Sequence, residues 1–342
     1  MTASESIQTP VVIFQCGSAA ITNSSITYTN TSGNTWTAAY TAHTSDTNGT
    51  VSYSIAFSDL AGNAGTAVTS GSGSVTFDKT LPTVSSFTMS DTSLKAGETS
   101  TVTLVFSEAV SGFSSDADIT AQNGSLATMT TSDNVTWTGV FTPTADVNDT
   151  SNVLTLANTW TDSAGNAGPG STTANYSIDT VVPTLSNVSI ASNNSTTTLA
   201  KINNVITLTM TASETISTPV VTFQSGGAAI TDTSISYVNT SGNTWTAAYT
   251  ANSSDTNGTV SYSIAFTDSN GNAGTAVTSG TGSVTFDKTV PTLSSVSIAS
   301  NNANTALAKV NNVITLSMTA SESIQTPVVI FQCGSAAITN SS

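Results

Sequence analysis

Half of the twenty carboxylates in this 342-residue sequence fall at three positions that recur through the chain. Glu5, Glu108, Glu214 and Glu322 each follow an alternating apolar run. Asp59, Asp162 and Asp268 each open a D-x-x-G-N-A-G phrase whose Asn is Asn63, Asn166 or Asn272. Asp78, Asp179 and Asp287 each stand four residues before a proline. Carboxylates, an amide carbonyl and backbone oxygens are the donors that a hard cation such as Ca²⁺ needs, six to eight of them at once. Loop Asp, loop Asn and junction Asp are expected together near the C-terminal tip of each folded unit, so calcium is the expected cofactor. The same residues also suit turns, because Asp and Asn before Gly bond their own backbone and tolerate left-handed geometry. Both readings stand on the sequence.

Other chemistry is sparse. Cys16 aligns with Ser225 and His43 with Asn252, so no nucleophile–base pair persists between near-identical copies, and an enzyme is not expected. Cys16 and Cys333 are one repeat position seen twice, which excludes an intradomain disulfide framework but leaves an interchain bridge open. Lys95, Lys201 and Lys309 precede the recurring Glu by 13 residues, a spacing open to an isopeptide crosslink, although L-K-A-G-E reads as a solvated turn. Asn-x-Ser/Thr triplets such as those at Asn48, Asn134 and Asn187 are expected by chance in a chain that is roughly a third Ser and Thr.

The repeat explains why those positions recur. Residues 1–25 return unchanged as 318–342, a period of 317, so the chain reads as a window cut from a longer array and Met1 as an internal residue. Aligning Met1 with Met210 gives 66 identities in 82 positions, and prolines 82, 183 and 291 mark successive starts. The expected domains are therefore 1–81 (partial, the C-terminal part of a 108-residue repeat), 82–182, 183–290 and 291–342 (partial, the N-terminal part). Units of this length are whole domains in tandem rather than solenoid repeats.

Within each unit the apolar period is two. Val260, Tyr262, Ile264 and Phe266 alternate with Ser261, Ser263 and Ala265, which places one face in a core and one in water. Turn phrases such as S-D-T-N-G at 45–49 and S-G-N at 32–34 separate the runs. About seven short strands per unit, with no helical stretch, predict an all-β chain: a tandem array of Ig-like β-sandwiches.

The phrases L-K-A-G-E-T, V-T-L-V-F-S-E-A-V, D-S-A-G-N-A-G and I-D-T-V-V-P, in that order across 94–183, resemble the bacterial Ig-like repeats of giant surface adhesins and secreted filamentous proteins. The 108-residue copies resemble them more loosely. The resemblance implies an extracellular spacer module, with calcium at its junctions stiffening the array through the matching Asp, Asn and Glu positions.

Composition narrows the partners. Five Lys, no Arg and a formal charge of −15 repel nucleic acid and anionic membranes and favour divalent cations. No apolar run approaches the length of a bilayer span. The expected function is structural: a stalk or shaft whose partners are neighbouring repeats and other copies in a filament, each domain spanning ~30–40 Å and a period ~100 Å. The alternatives are carbohydrate- or ice-binding sandwiches, which need exposed aromatics or Thr ranks, and a self-assembling subunit whose incomplete ends are filled by strands in trans. The 25-residue overlap favours the array over strand exchange.

Overall fold

In the computed structural model, which describes residues 1–22 and 25–338, the chain forms two compact units: 1–182 with 270–272, and 183–269 with 273–342. Residues 339–342 of the last, incomplete repeat lie outside the described residues.

The first unit ends in a complete sandwich. One sheet has the order Gly124–Leu126, Thr136–Pro143, Ser100–Phe106, Val84–Met89, all antiparallel. The opposing layer combines Ile119–Ala121 with Leu154–Leu156 and Ser171–Thr172, and Asn148–Asn152 with Tyr176–Asp179 and Ser93–Lys95, the last pair parallel. Alternation along Ser100–Phe106 sends Val102, Leu104 and Phe106 inward, where they meet Phe141, Trp160 and Tyr176, all at most 1% exposed. Burying that many aromatic and aliphatic side chains is the dominant drive for folding here. Before this sandwich, residues 11–77 form a four-stranded sheet, Ala19–Ala20, Val11–Cys16, Gly49–Ala56, Thr76–Phe77, beside a lone hairpin, Thr27–Ser32 with Thr35–Ala39.

The second unit opens with the other complete sandwich. Leu185–Ser192, Val205–Ala212, Thr244–Thr250 and Ser236–Ser241 face Leu199–Ala200, Thr285–Phe286, Gly258–Ala265, Val220–Ser225 and Ala228–Ala229. Its core runs from Val188 to Phe286. Residues Leu293–Ser300 and Ile314–Ala320 follow as an antiparallel pair.

The all-β, Ig-like architecture expected from the period-two pattern is what forms. One departure is a single helical turn, Ser115–Asp118, where no helix was expected. It is held by local bonds rather than propensity: Asp118 Oδ2 accepts from the Ser114 N–H at 2.8 Å and Ser115 Oγ from the Met129 N–H at 2.8 Å. The S-G-N phrase makes the expected tight turn, with Gly33 at φ +51° and Gly242 at φ +52°.

Candidate metal centre

Antiparallel pairing decides which acids meet. Val84 lies opposite Phe106, so the end of Ser100–Phe106 sits beside the start of the same sandwich, and the Thr83 and Ser107 backbones are linked there by Ser107 N–H to Thr83 O at 2.9 Å. Glu108, two residues past that strand, is thereby delivered to the point where the chain arrives from Asp78. The D-x-x-G-N-A-G loop comes to the same end, because Asp162 bridges Val110. Carboxylate oxygens of Asp78, Glu108 and Asp162 all lie within 4.8 Å of one another.

This corrects the expected grouping. Loop Asp and junction Asp of one unit were expected at the same tip. Asp179, the junction residue of this sandwich, instead lies on Tyr176–Asp179 opposite Asn148 and Lys95, at the end remote from Asp162. The loop Asp meets the junction Asp of the preceding repeat, Asp78.

The loop's own geometry holds Asp162. Gly165 takes φ +93°, which a side chain resists, and the chain folds back so that Oδ1 accepts from Ala164 N–H at 2.8 Å and Asn166 N–H at 2.9 Å while Oδ2 accepts from Asn166 Nδ2 at 2.8 Å. Burial opposes ionisation of Asp162, yet these bonds outweigh it and hold the carboxyl below the usual range. The same Asn166 amide donates to the Asp78 backbone carbonyl at 3.3 Å. Asp78 is braced in turn, its Oδ1 accepting from Asn48 Nδ2 and Thr80 N–H, both at 2.9 Å.

Glu108 differs from both. Among the described residues no donor bonds its carboxylate; burial pushes it up, and repulsion from Asp78 and Asp162 pushes it further. Lys95 pairs with Glu98 at 3.6 Å rather than with Glu108, and the charges that act on Glu108 are the acids Asp78 and Asp162. Three acidic oxygens at this spacing, with no nitrogen or sulfur donor, suit a hard divalent cation and would supply three of the six to eight ligands it takes. Asp78, Glu108 and Asp162 are the residues that would hold it.

Residues 78–178 match the profile of the bacterial Ig-like domain. That segment is similar to a bacterial Ig-like domain. The match begins at the Asp78 of the trio and includes the other two acids. No curated protein matches the chain significantly. Similar solved structures include the titin I9–I11 tandem (12% identity, 82% of this chain and 89% of that one, TM-score 0.28), titin I67–I69 (11%, 82% and 88%, TM-score 0.34) and Rst D1-D2 (11%, 61% and 100%, TM-score 0.31).

The other expected ligands fall out as follows. Glu214 and Asp268 of the second unit come within 4.8 Å of each other, again past the end of a central strand, with Asp268 bridging Ile216. Asn272 is buried. Asp59 bridges Ile7 and is capped by Asn63, whose amide side chain and N–H bond it at 2.7 and 2.8 Å and lower its pKa; Glu5 is exposed and joins no acid cluster among the described residues. Asp287 is exposed and accepts from Asn257 at 3.0 Å, and Glu322 is half-buried.

Two acids not singled out in the sequence prove structural. Asp46 and Asp255, both 1% exposed, each accept the backbone N–H and hydroxyl of a Thr (Thr22, Thr231) and the N–H of the residue three before them, His43 or Asn252. The S-D-T-N-G phrase carried the signal, as a turn. Cys16 is buried and Cys333 exposed, both as free thiols. Among the described residues every Trp, Tyr and Phe is buried or half-buried.

Proposed function

We propose that this chain is an extender segment of an extracellular adhesin or filament, a non-enzymatic stalk whose successive Ig-like sandwiches are restrained by calcium at their junctions. The observation that supports the reading is the uncompensated trio: Asp78, from the strand exit of one repeat, lies within 4.8 Å of Glu108 and Asp162 of the next. A bound cation would supply the positive charge that three adjacent carboxylates lack. The chain's own residues prepare the place. Asn48 holds Asp78, the glycine-built loop holds Asp162, and Asn166 ties that loop to the Asp78 backbone, while Glu108 has no donor on its carboxylate to give up. The sequence supplies the same three positions again as Asp179, Glu214 and Asp268, and begins a further set with Asp287 and Glu322. The extracellular assignment rests on the bacterial Ig-like module and its resemblance to the repeats of surface proteins. No helix among the described residues is long and apolar enough to cross a membrane.

Thermal unfolding and small-angle scattering of the chain with calcium and with chelator test the reading. A higher melting temperature and a longer particle in calcium, both reduced in Glu108→Gln and absent from the Glu108→Gln, Glu214→Gln double variant, are the expected result. Identical melting and scattering in both buffers would leave the carboxylates as turn and corner braces and the stalk held by packing alone.

A further inference from the structure

The S-D-T-N-G phrase of the 108-residue repeats, at 45–49 and 254–258, does more than turn the chain: it reaches the linker that leaves the same repeat. Asn48 makes the contact. Its Oδ1 accepts from Lys79 N–H at 3.0 Å, and its Nδ2 donates to Asp78 Oδ1 at 2.9 Å and to Thr80 Oγ1. Thr80 N–H returns to Asp78 Oδ1 at 2.9 Å, and the Lys79 ammonium donates to Thr44 O at 2.8 Å. Gly49 allows the turn to lie there, since it takes φ +138° and a Cβ on it would meet Gly17 Cα at 2.7 Å.

The complete sandwich 183–290 builds the same set, so these bonds belong to the repeat. Asn257 accepts from Lys288 N–H at 3.0 Å and donates to Asp287 Oδ1 at 3.0 Å and Thr289 Oγ1 at 2.7 Å, while Lys288 Nζ donates to Ser253 O at 3.0 Å and Asp255 O at 2.7 Å. Two of the chain's five lysines are thus placed on the backbone carbonyls of one kind of turn. A lysine gives up rotamer freedom to sit there, and a charge-assisted bond to a carbonyl offsets that loss. The 101-residue repeat, whose linker reads D-T-V-V-P, manages without lysine. Thr180 Oγ1 donates to Thr144 O at 2.7 Å, and Asp179 is held by longer bonds, from Asn148 Nδ2 at 3.3 Å and Val181 N–H at 3.2 Å.

We propose that turn and linker of each 108-residue repeat form a latch, in which Asn48 and Lys79 are positioning residues that set the Asp78 carboxylate beside Glu108 and Asp162 before any cation arrives. This rests on the calcium reading of the trio. Both bonds to the Asp78 carboxylate fall on Oδ1, which leaves Oδ2 open to a ligand. Neither Asn48 nor Lys79 bonds Glu108 or Asp162, so their effect on a cation passes through Asp78. A ligand ordered in advance removes the ordering cost from the binding step, and the groups that orient it tune the affinity.

Calcium titration calorimetry of the full chain tests it, with Glu214→Gln present throughout so that the uptake removed by a further Glu108→Gln is that of the trio. Asn48→Ala and Lys79→Met should each weaken that affinity by about tenfold, and Lys79→Arg, which keeps a cationic donor, should recover most of the loss. Hydrogen exchange in chelator reads the latch apart from the metal. The Lys79 and Thr80 amides should be protected in the parent and released by Asn48→Ala, while Ser100–Phe106 exchanges as before, which a general loss of structure would not allow. A parent that takes up no calcium sinks the cation reading and with it the positioning role, and exchange then decides the latch by itself. Unprotected Lys79 and Thr80 amides in the parent, or an affinity that Asn48→Ala and Lys79→Met leave unmoved, would overturn the latch alone.

Discussion

The Asn166 side-chain amide donates at once to Asp162 Oδ2 at 2.8 Å and to the Asp78 backbone carbonyl at 3.3 Å. One side chain therefore braces the loop acid of a sandwich and fastens it to the last residues of the preceding repeat. Whether or not a cation binds, this bond sets the spacing of two of the three carboxylates.

Glu108 is the member on which removing the charge should help. Its folded-state pKa is raised, first by burial and then by Asp78 and Asp162, so the fold binds that proton more tightly than the unfolded chain does. Stability from this group is present below the ordinary carboxylate pKa and lost as pH rises through the folded value. At neutral pH in chelator, Glu108→Gln should therefore melt higher than the parent, and its calcium response should be smaller than the parent's. Differential scanning calorimetry in both buffers checks the two effects together.

Acid should act through the capped carboxylates in the opposite sense. Hydrogen bonds from Asn63, from Thr136 and Val135, and from Thr22 and His43 lower Asp59, Asp133 and Asp46, and Asp162 is lowered against its burial. Their contribution is complete above the ordinary carboxylate range and is lost as pH falls through the depressed folded values. Melting temperature should fall on acidification below that range, and Asp162→Asn should flatten part of the fall in the 82–182 sandwich. Melts from neutral pH downward measure it.

The last glycine of the D-x-x-G-N-A-G phrase is required by contact rather than by φ. A Cβ at Gly168 would meet the Trp160 ring at 2.1 Å, and one at Gly274 the Phe266 ring at 2.1 Å. Trp160 is sealed in the core, with Nε1 donating to Pro169 O at 3.1 Å and its ring 4.4 Å from Phe106, so it has no room to yield. Gly168→Ala should destabilise its sandwich by ~1–3 kcal/mol, as read by urea unfolding.

Identical sequence in unequal surroundings gives an internal control. Phe223 is 1% exposed and packs on Tyr249 at 4.8 Å, whereas its counterpart Phe14 is half-buried although its ring lies 4.9 Å from Tyr40. Phe223→Ala should cost ~3–5 kcal/mol and Phe14→Ala much less, because only the first leaves a closed cavity. Hydrogen exchange in Val220–Ser225 and Val11–Cys16 separates the two, as one global melt of a multidomain chain does not.

Strand periodicity, the turn phrases and the recurrence of every acid are local or repetitive features, and they were legible without a structure. Val260 to Phe266 alternates because a sheet has two faces, and Gly33 and Gly242 mark turns because only glycine takes that backbone cheaply. Recurrence singled out Glu108, Asp162 and the junction Asp as candidate ligands, and the loop Asp was expected beside a junction Asp. Which junction Asp it would be was not legible there. Antiparallel register places Val84 against Phe106 and so carries Glu108 and the loop to the entry end of the sandwich, beside Asp78, while Asp179 leaves from the other end. Burial likewise needed the fold: the same Phe, Tyr and Ile are core in 210–291 and half-open in 1–82, because burial depends on the strand beside a residue and that strand lies elsewhere in the sequence.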